Sequence, residues 1–128
     1  MRLLLDTHTF LWFIMGNSKL SSSARTLIED ISNDKQLSIV SVWEMAIKVS
    51  IGKLSLAGPF EIIIPEQIKN NGFDVMNIDI SHINIVATLP MHHRDPFDRL
   101  LIAQCMIEDL SIISADSAFD SYSVHRLW

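Results

Sequence analysis

The opening stretch, "MRLLLDTHTFLWFIMGN" (residues 1–17), supports two readings, and the fold turns on which one holds. Arg2 and the three leucines resemble the start of a secretory leader. However, Asp6 and His8 interrupt the apolar run, and no small-residue cleavage site follows. The longest apolar run, Phe10–Met15, is far short of the roughly 20 residues that span a bilayer. The stretch therefore reads as a strand followed by a helix. "RLLLD" (2–6) is a short apolar run closed by an aspartate, which suits a strand covered on both faces. "THTFLWFIMG" continues as a short helix that stops at Gly16 and Asn17.

The same alternation runs down the chain. Ser21–Ser23 offer a cap for a helix with apolar residues at 24, 27, 28 and 31. "LSIV" (37–40) reads as the second strand. "SVWEMAIKVSIGKL" follows as a helix, with Ser41 as N-cap and Gly52 as the stop. "PFEIIIPEQIKNNG" has helical spacing, and Pro65 is expected to kink or divide it. "FDVMNI" (73–78) is the third strand, and "SHINIVATL" is a helix ending before Pro90. "PFDRLLIAQCMIED" is the strongest helix, "LSIISAD" (110–116) the fourth strand, and "YSVHRLW" a fifth. Strands that alternate with helices imply an α/β fold with a mostly parallel sheet and helices on both faces. The 128 residues hold no repeat or linker and suit one domain spanning 1–128.

Composition narrows the function. Hydrophobic residues make up 48% and charged residues 20%, a globular balance. The one cysteine, Cys105, lies in an apolar helical run and reads as a buried small hydrophobe in a reducing, cytoplasmic setting. A net charge of −5 argues against a protein that grips nucleic acid through a broad basic surface. It leaves room for an enzyme that meets phosphates through bound cations.

Sites in open parallel sheets form beyond the carboxyl ends of the strands. Four acids fall in that zone. Asp6 closes the first strand, Glu44 sits in the first turn of the helix after the second, Asp98 in the first turn of "PFDRLL", and Asp116 after "LSIIS". Each has a plainer use. Glu44 follows Ser41 by three as in a capping box, Asp98 suits any helix N-terminus, and Asp116 could hold a turn. Asp6, directly after a buried strand, is hardest to assign to structure alone. Gathered at one edge, the four would repel strongly unless a divalent cation sat among them. An oxygen-only set suits Mg²⁺ or Mn²⁺.

"LLLDTHTFLW", "VSVWEMAIKVSIGKL", "LPMHHRDPFDRLLIAQ" and "LSIISADSAFDSY" closely resemble the PIN-domain ribonucleases, and more narrowly toxins of the VapC type. The resemblance covers nearly the whole chain. It implies a PIN-like three-layer fold and a Mg²⁺- or Mn²⁺-dependent RNA endonuclease, homodimeric and inhibited by a small antitoxin. The family's acidic quartet matches Asp6, Glu44, Asp98 and Asp116 as metal ligands and catalytic groups, with Thr7 and Ser114 as supporting hydroxyls. Ser114 stands where many relatives have threonine, so the hydroxyl is kept.

Other features are weighed beside these. His92, His93 and Arg94 precede the proposed metal helix and could touch RNA at the pocket rim, or form a solvated loop. Arg99 could pair with a neighbouring acid or reach a phosphate. The five histidines show no zinc spacing. Within Asp95-Pro96, proline at the first helical position makes Asp95 the N-cap and leaves Asp98 for the pocket. Two other functions fit less well. A phosphotransferase with Asp6 as nucleophile would need a second aspartate where His8 stands, and a non-catalytic binding module would not need the full quartet.

Overall fold

The computed structural model describes residues 1–128. It holds five strands: β1 (Arg2–Leu5), β2 (Asp34–Ser38), β3 (Asp74–Met76), β4 (Ser111–Ile113) and β5 (Arg126–Leu127). The helices are α1 (Thr7–Met15), α2 (Ser22–Glu29), α3 (Ile39–Ser50), α4 (Phe60–Asn70), α5 (Ile80–Thr88) and α6 (Pro96–Glu108). A short 3₁₀ turn spans Ser117–Ser121. The strand order is β3-β2-β1-β4-β5, and every pairing is parallel.

The period of two in β1 divides the core. Leu3 and Leu5 face one side, with Leu37, Ile113, Phe10, Ile28, Met45 and Ile64. Leu4 faces the other, with Ile112, Leu101, Ile102, Cys105 and Phe119. Three layers result: α1, α2 and α4 contribute to the first core, and α6 to the second. Burial pushes the Cys105 thiol up to about 12, so it stays protonated, as its apolar setting suggests. No helix is long and apolar enough to cross a membrane.

Three local expectations change. β2 is "DKQLS" rather than "LSIV", because its one buried charged residue, Lys35, is satisfied from outside the strand. Lys35 is buried, and its ammonium donates to the carbonyls of Ile28 (2.8 Å) and Asn71 (3.1 Å), at the C-terminal ends of α2 and α4. In consequence α3 starts earlier. Ser38 is its N-cap, accepting from Val40 N–H at 3.1 Å, so Ser41 is an interior helix residue and forms no capping box with Glu44. Pro65 lies within α4 without dividing it. Both Pro65 and Glu61, whose carbonyl loses its usual i+4 donor there, are exposed, so water can satisfy that carbonyl.

This topology positions the site. The chain leaves β1 for β2 and β3 on one side and returns to β4 on the other. The reversal lies between β1 and β4, where open α/β sheets bind ligands. Leu5 is in register with Ile113, so Asp6 and Ser114 emerge side by side.

Candidate metal centre

Asp6 is tied down by both of its oxygens. As N-cap of α1 it accepts from Thr9 N–H at 2.7 Å through Oδ1, and Oδ2 takes the Ser114 hydroxyl in a short hydrogen bond. Its backbone N–H donates to Ile113 O at 3.2 Å, stitching the two strand ends together. Ser114 in turn accepts from Asp116 N–H at 3.0 Å, and Asp116 caps the 3₁₀ turn by accepting from Ala118 N–H at 2.9 Å. A relay from Asp6 through Ser114 to Asp116 thus crosses the β1–β4 junction. An open cavity of about 260 Å³ lies over it, lined by Asp6, His8, Trp12, Ala115 and Asp116.

Asp95 is the N-cap of α6, accepting from Phe97 N–H at 2.9 Å and Asp98 N–H at 3.4 Å, with Pro96 in the first turn. Asp98 is therefore free of capping duty, and its Oδ2 lies 2.7 Å from His93 Nε2. The same nitrogen is 3.8 Å from Asp116 Oδ2. Ligand atoms of His93, Asp98 and Asp116 all lie within 4.8 Å of one another. Burial, and then the Asp95 carboxylate, push the Asp98 carboxyl up from 3.8 to about 6, against the lowering effect of the His93 hydrogen bond. Asp6 adds to the rise. This excess negative charge, gathered at oxygen donors, fits a divalent cation. Asp95→Ala should lower stability by about 1 kcal/mol and leave Asp98 in place. Urea melts of the variant beside a cation titration would check both points.

Glu44 stands apart from this group. It is buried, with Oε1 accepting from the Thr7 hydroxyl at 2.7 Å and Oε2 paired with Lys48 Nζ at 3.0 Å. Thr7 Oγ1 also lies 2.9 Å from Ser41 Oγ. Glu44 thus reaches the site through Thr7, next to Asp6. Lys48 one turn along the helix compensates its charge, a partner that sequence reading did not identify.

The loop before α6 also departs from expectation. Arg99 is buried and makes no acid pair. Its guanidinium donates to four carbonyls, those of Val86 (3.3 Å), Leu89 (3.0 Å), Pro90 (2.9 Å) and His93 (3.4 Å). A guanidinium spent in this way does not reach RNA. Its role is to bind the end of α5 and the loop to α6. His93 is turned inward, its backbone N–H held by Tyr122 Oη at 2.7 Å and its ring edge-on to Phe119. His92 and Arg94 remain exposed.

A second cluster, Asp79, His82 and Glu108, has metal-like spacing but the wrong chemistry. His82 Nδ1 accepts from Asp79 N–H at 3.0 Å, so the ring carries its hydrogen on Nε2, which donates to Glu108 at 3.0 Å. No lone pair is left for a cation, and the group caps α5 instead.

Comparison with known proteins places the chain in a family. The PIN domain family matches residues 3–124. Ribonuclease VapC16 of Mycobacterium tuberculosis is 30% identical over 61 residues, which cover 48% of this chain and 43% of that protein. The match therefore spans less than half the length of that relative. Among solved structures, FitAcB from Neisseria gonorrhoeae superposes with a TM-score of 0.69 at 17% identity, covering 98% of this chain and 96% of that one. VapBC2 from Rickettsia felis, bound to a DNA fragment from its promoter, gives 0.65 at 13% identity, covering 99% and 98%. At such identities the two structures speak for the fold. With the family match spanning nearly every residue, the chain belongs to the PIN domain family and closely resembles the VapC-type toxins of type II toxin–antitoxin systems.

Proposed function

We propose that residues 1–128 form a single PIN domain that acts as a cation-dependent RNA endonuclease, the cytoplasmic toxin of a toxin–antitoxin pair. The observation that carries this reading is the convergence of Asp98 and Asp116 beside Asp6 at the β1–β4 junction, with the Asp98 carboxyl pushed up to about 6 by burial and then by the negative charge around it. Mg²⁺ or Mn²⁺ bound there supplies charge neutralisation at a phosphodiester and lowers the pKa of a water. Asp98 and Asp116 hold it directly. Asp6, fixed by Thr9 and Ser114, orients the strand ends and lines a cavity together with Asp116. Glu44 acts from further out by holding Thr7, so Glu44→Gln should cost about 10–100-fold in rate, less than loss of Asp98. Asp6 is a poor phosphate acceptor, because both of its oxygens already accept hydrogen bonds.

Partners follow from surface chemistry. A negative pocket favours a basic side chain of an antitoxin laid across it. The apolar cleft of about 250 Å³ lined by Val40, Trp43, Ile83, Val86, Phe97 and neighbours offers area to a second copy in a homodimer. The test is cleavage of a mixed RNA pool by purified protein with Mg²⁺ or Mn²⁺, beside Asp6→Asn and Asp98→Asn variants checked for folding. Cleavage that persists in excess EDTA, or equal cleavage by the variants, would overturn the reading.

A further inference from the structure

We propose that His93 is a nitrogen ligand of the cation, so that the site is mixed nitrogen and oxygen and favours Mn²⁺ over Mg²⁺. The inference rests on the cation-dependent reading above and goes beyond an oxygen-only set. It begins with spacing. Neighbouring ligands of a cation with bonds of about 2.1 Å lie about 3 Å apart, and opposite ones about 4.2 Å. His93 Nε2 is 2.7 Å from Asp98 Oδ2 and 3.8 Å from Asp116 Oδ2, within a small shift of that arrangement.

The ring is also held in place before any cation arrives. Tyr122 Oη accepts the His93 N–H at 2.7 Å, Arg99 donates to the His93 carbonyl at 3.4 Å, and Phe119 meets the ring at a near-perpendicular 87°. Three residues from two separate elements, the 3₁₀ turn with its cap and α6, therefore aim one side chain between two carboxylates. A residue of a solvated rim loop would not be fixed from both its backbone N–H and its carbonyl. His93 also differs from His82, whose Nδ1 is claimed by a backbone N–H. The Nδ1 of His93 is not claimed in this way, so when a cation takes the place of the hydrogen that Nε2 shares with Asp98, the ring can carry its hydrogen on Nδ1 and turn the Nε2 lone pair to the cation. Imidazole raises affinity along the transition-metal series, while Mg²⁺ prefers oxygen.

The test is metal binding to the intact chain, read without RNA. Calorimetric titration with Mn²⁺ and with Mg²⁺ should show His93→Ala losing Mn²⁺ affinity by at least about ten-fold and losing less for Mg²⁺, with His93→Asp shifting preference further toward Mg²⁺. Pulsed electron paramagnetic resonance of bound Mn²⁺ should show nitrogen hyperfine coupling in the parent and in His8→Ala, and none in His93→Ala. Thermal melts confirm that each variant is folded. Absence of nitrogen coupling in the parent, or tighter Mn²⁺ binding by His93→Ala, would overturn the proposal, the latter by marking His93 as a competitor for Asp98. Nitrogen coupling without RNA cleavage would leave this inference standing and remove the nuclease reading. Cleavage without coupling would do the reverse.

Discussion

Asp98→Asn is expected to remove cation-dependent RNA cleavage, by about 10²–10³-fold or more, while flattening the pH dependence of stability of the metal-free protein. Both effects have one cause. The carboxyl is partly buried beside Asp95 and Asp6, so the charged form is unwelcome until a cation binds. The unfolded chain releases this proton near 3.8 and the folded, metal-free chain near 6. Between those values the folded state holds more protons than the unfolded one, so stability falls as pH rises through that window. Above it the full penalty is present, on the order of 2–3 kcal/mol for a shift of about two units. Asparagine cannot ionise, so the variant escapes this loss. Melting temperatures in EDTA from pH 4 to 7.5 should fall by about 8 °C less in Asp98→Asn than in the parent. Added Mn²⁺ should stabilise the parent and leave the variant nearly unchanged. An equal pH slope in the two proteins would mean that Asp98 carries no such penalty.

Arg99→Met is expected to cost about 3 kcal/mol or more of stability. The stem of methionine fills similar space, but the carbonyls of Val86, Leu89, Pro90 and His93 lose their shared donor. Two of them, Val86 and Leu89, belong to the end of α5, where a cation also offsets the helix dipole. Arg99→Lys keeps the charge but not the fork, and should recover only part of the loss. Urea unfolding should report a lower midpoint with an unchanged slope. Cation affinity should also fall in Arg99→Met, because the loop that carries His93 is released. An Arg99→Met protein as stable as the parent would show that the four carbonyls find water at little cost.

The separate behaviour of these neighbours shows what could be read from the sequence and what could not. Asp95, Pro96 and Asp98 are divided by local rules: proline at the first helical position makes Asp95 the cap, and Asp98 is left to face inward. β1 was legible because "LLL" followed by aspartate carries both its burial and its end. By contrast, β2 is not legible, because Lys35 owes its burial to a carbonyl of Ile28 on the preceding helix and one of Asn71 on α4's C-terminal end, far along the chain. The cap of α3 moved to Ser38 with it. Glu44 could be assigned to the right edge of the sheet, and Lys48 four residues on in the same helix is a pairing that local spacing offers, but its link through Thr7 depends on how α3 packs against α1.

The sequence by itself therefore determined the alternation of strands and helices, the covered sheet, and which carboxylates reach its carboxyl edge. Those features follow from hydrophobic period and from chain position, both of which are local. Only the tertiary structure decided what each charged side chain meets there. It drew His93 in between Asp98 and Asp116, spent Arg99 on backbone carbonyls, and set Glu44 one residue back from the acids. Such pairings join residues on different elements, and their energies depend on burial and distance, which exist only once the chain has folded.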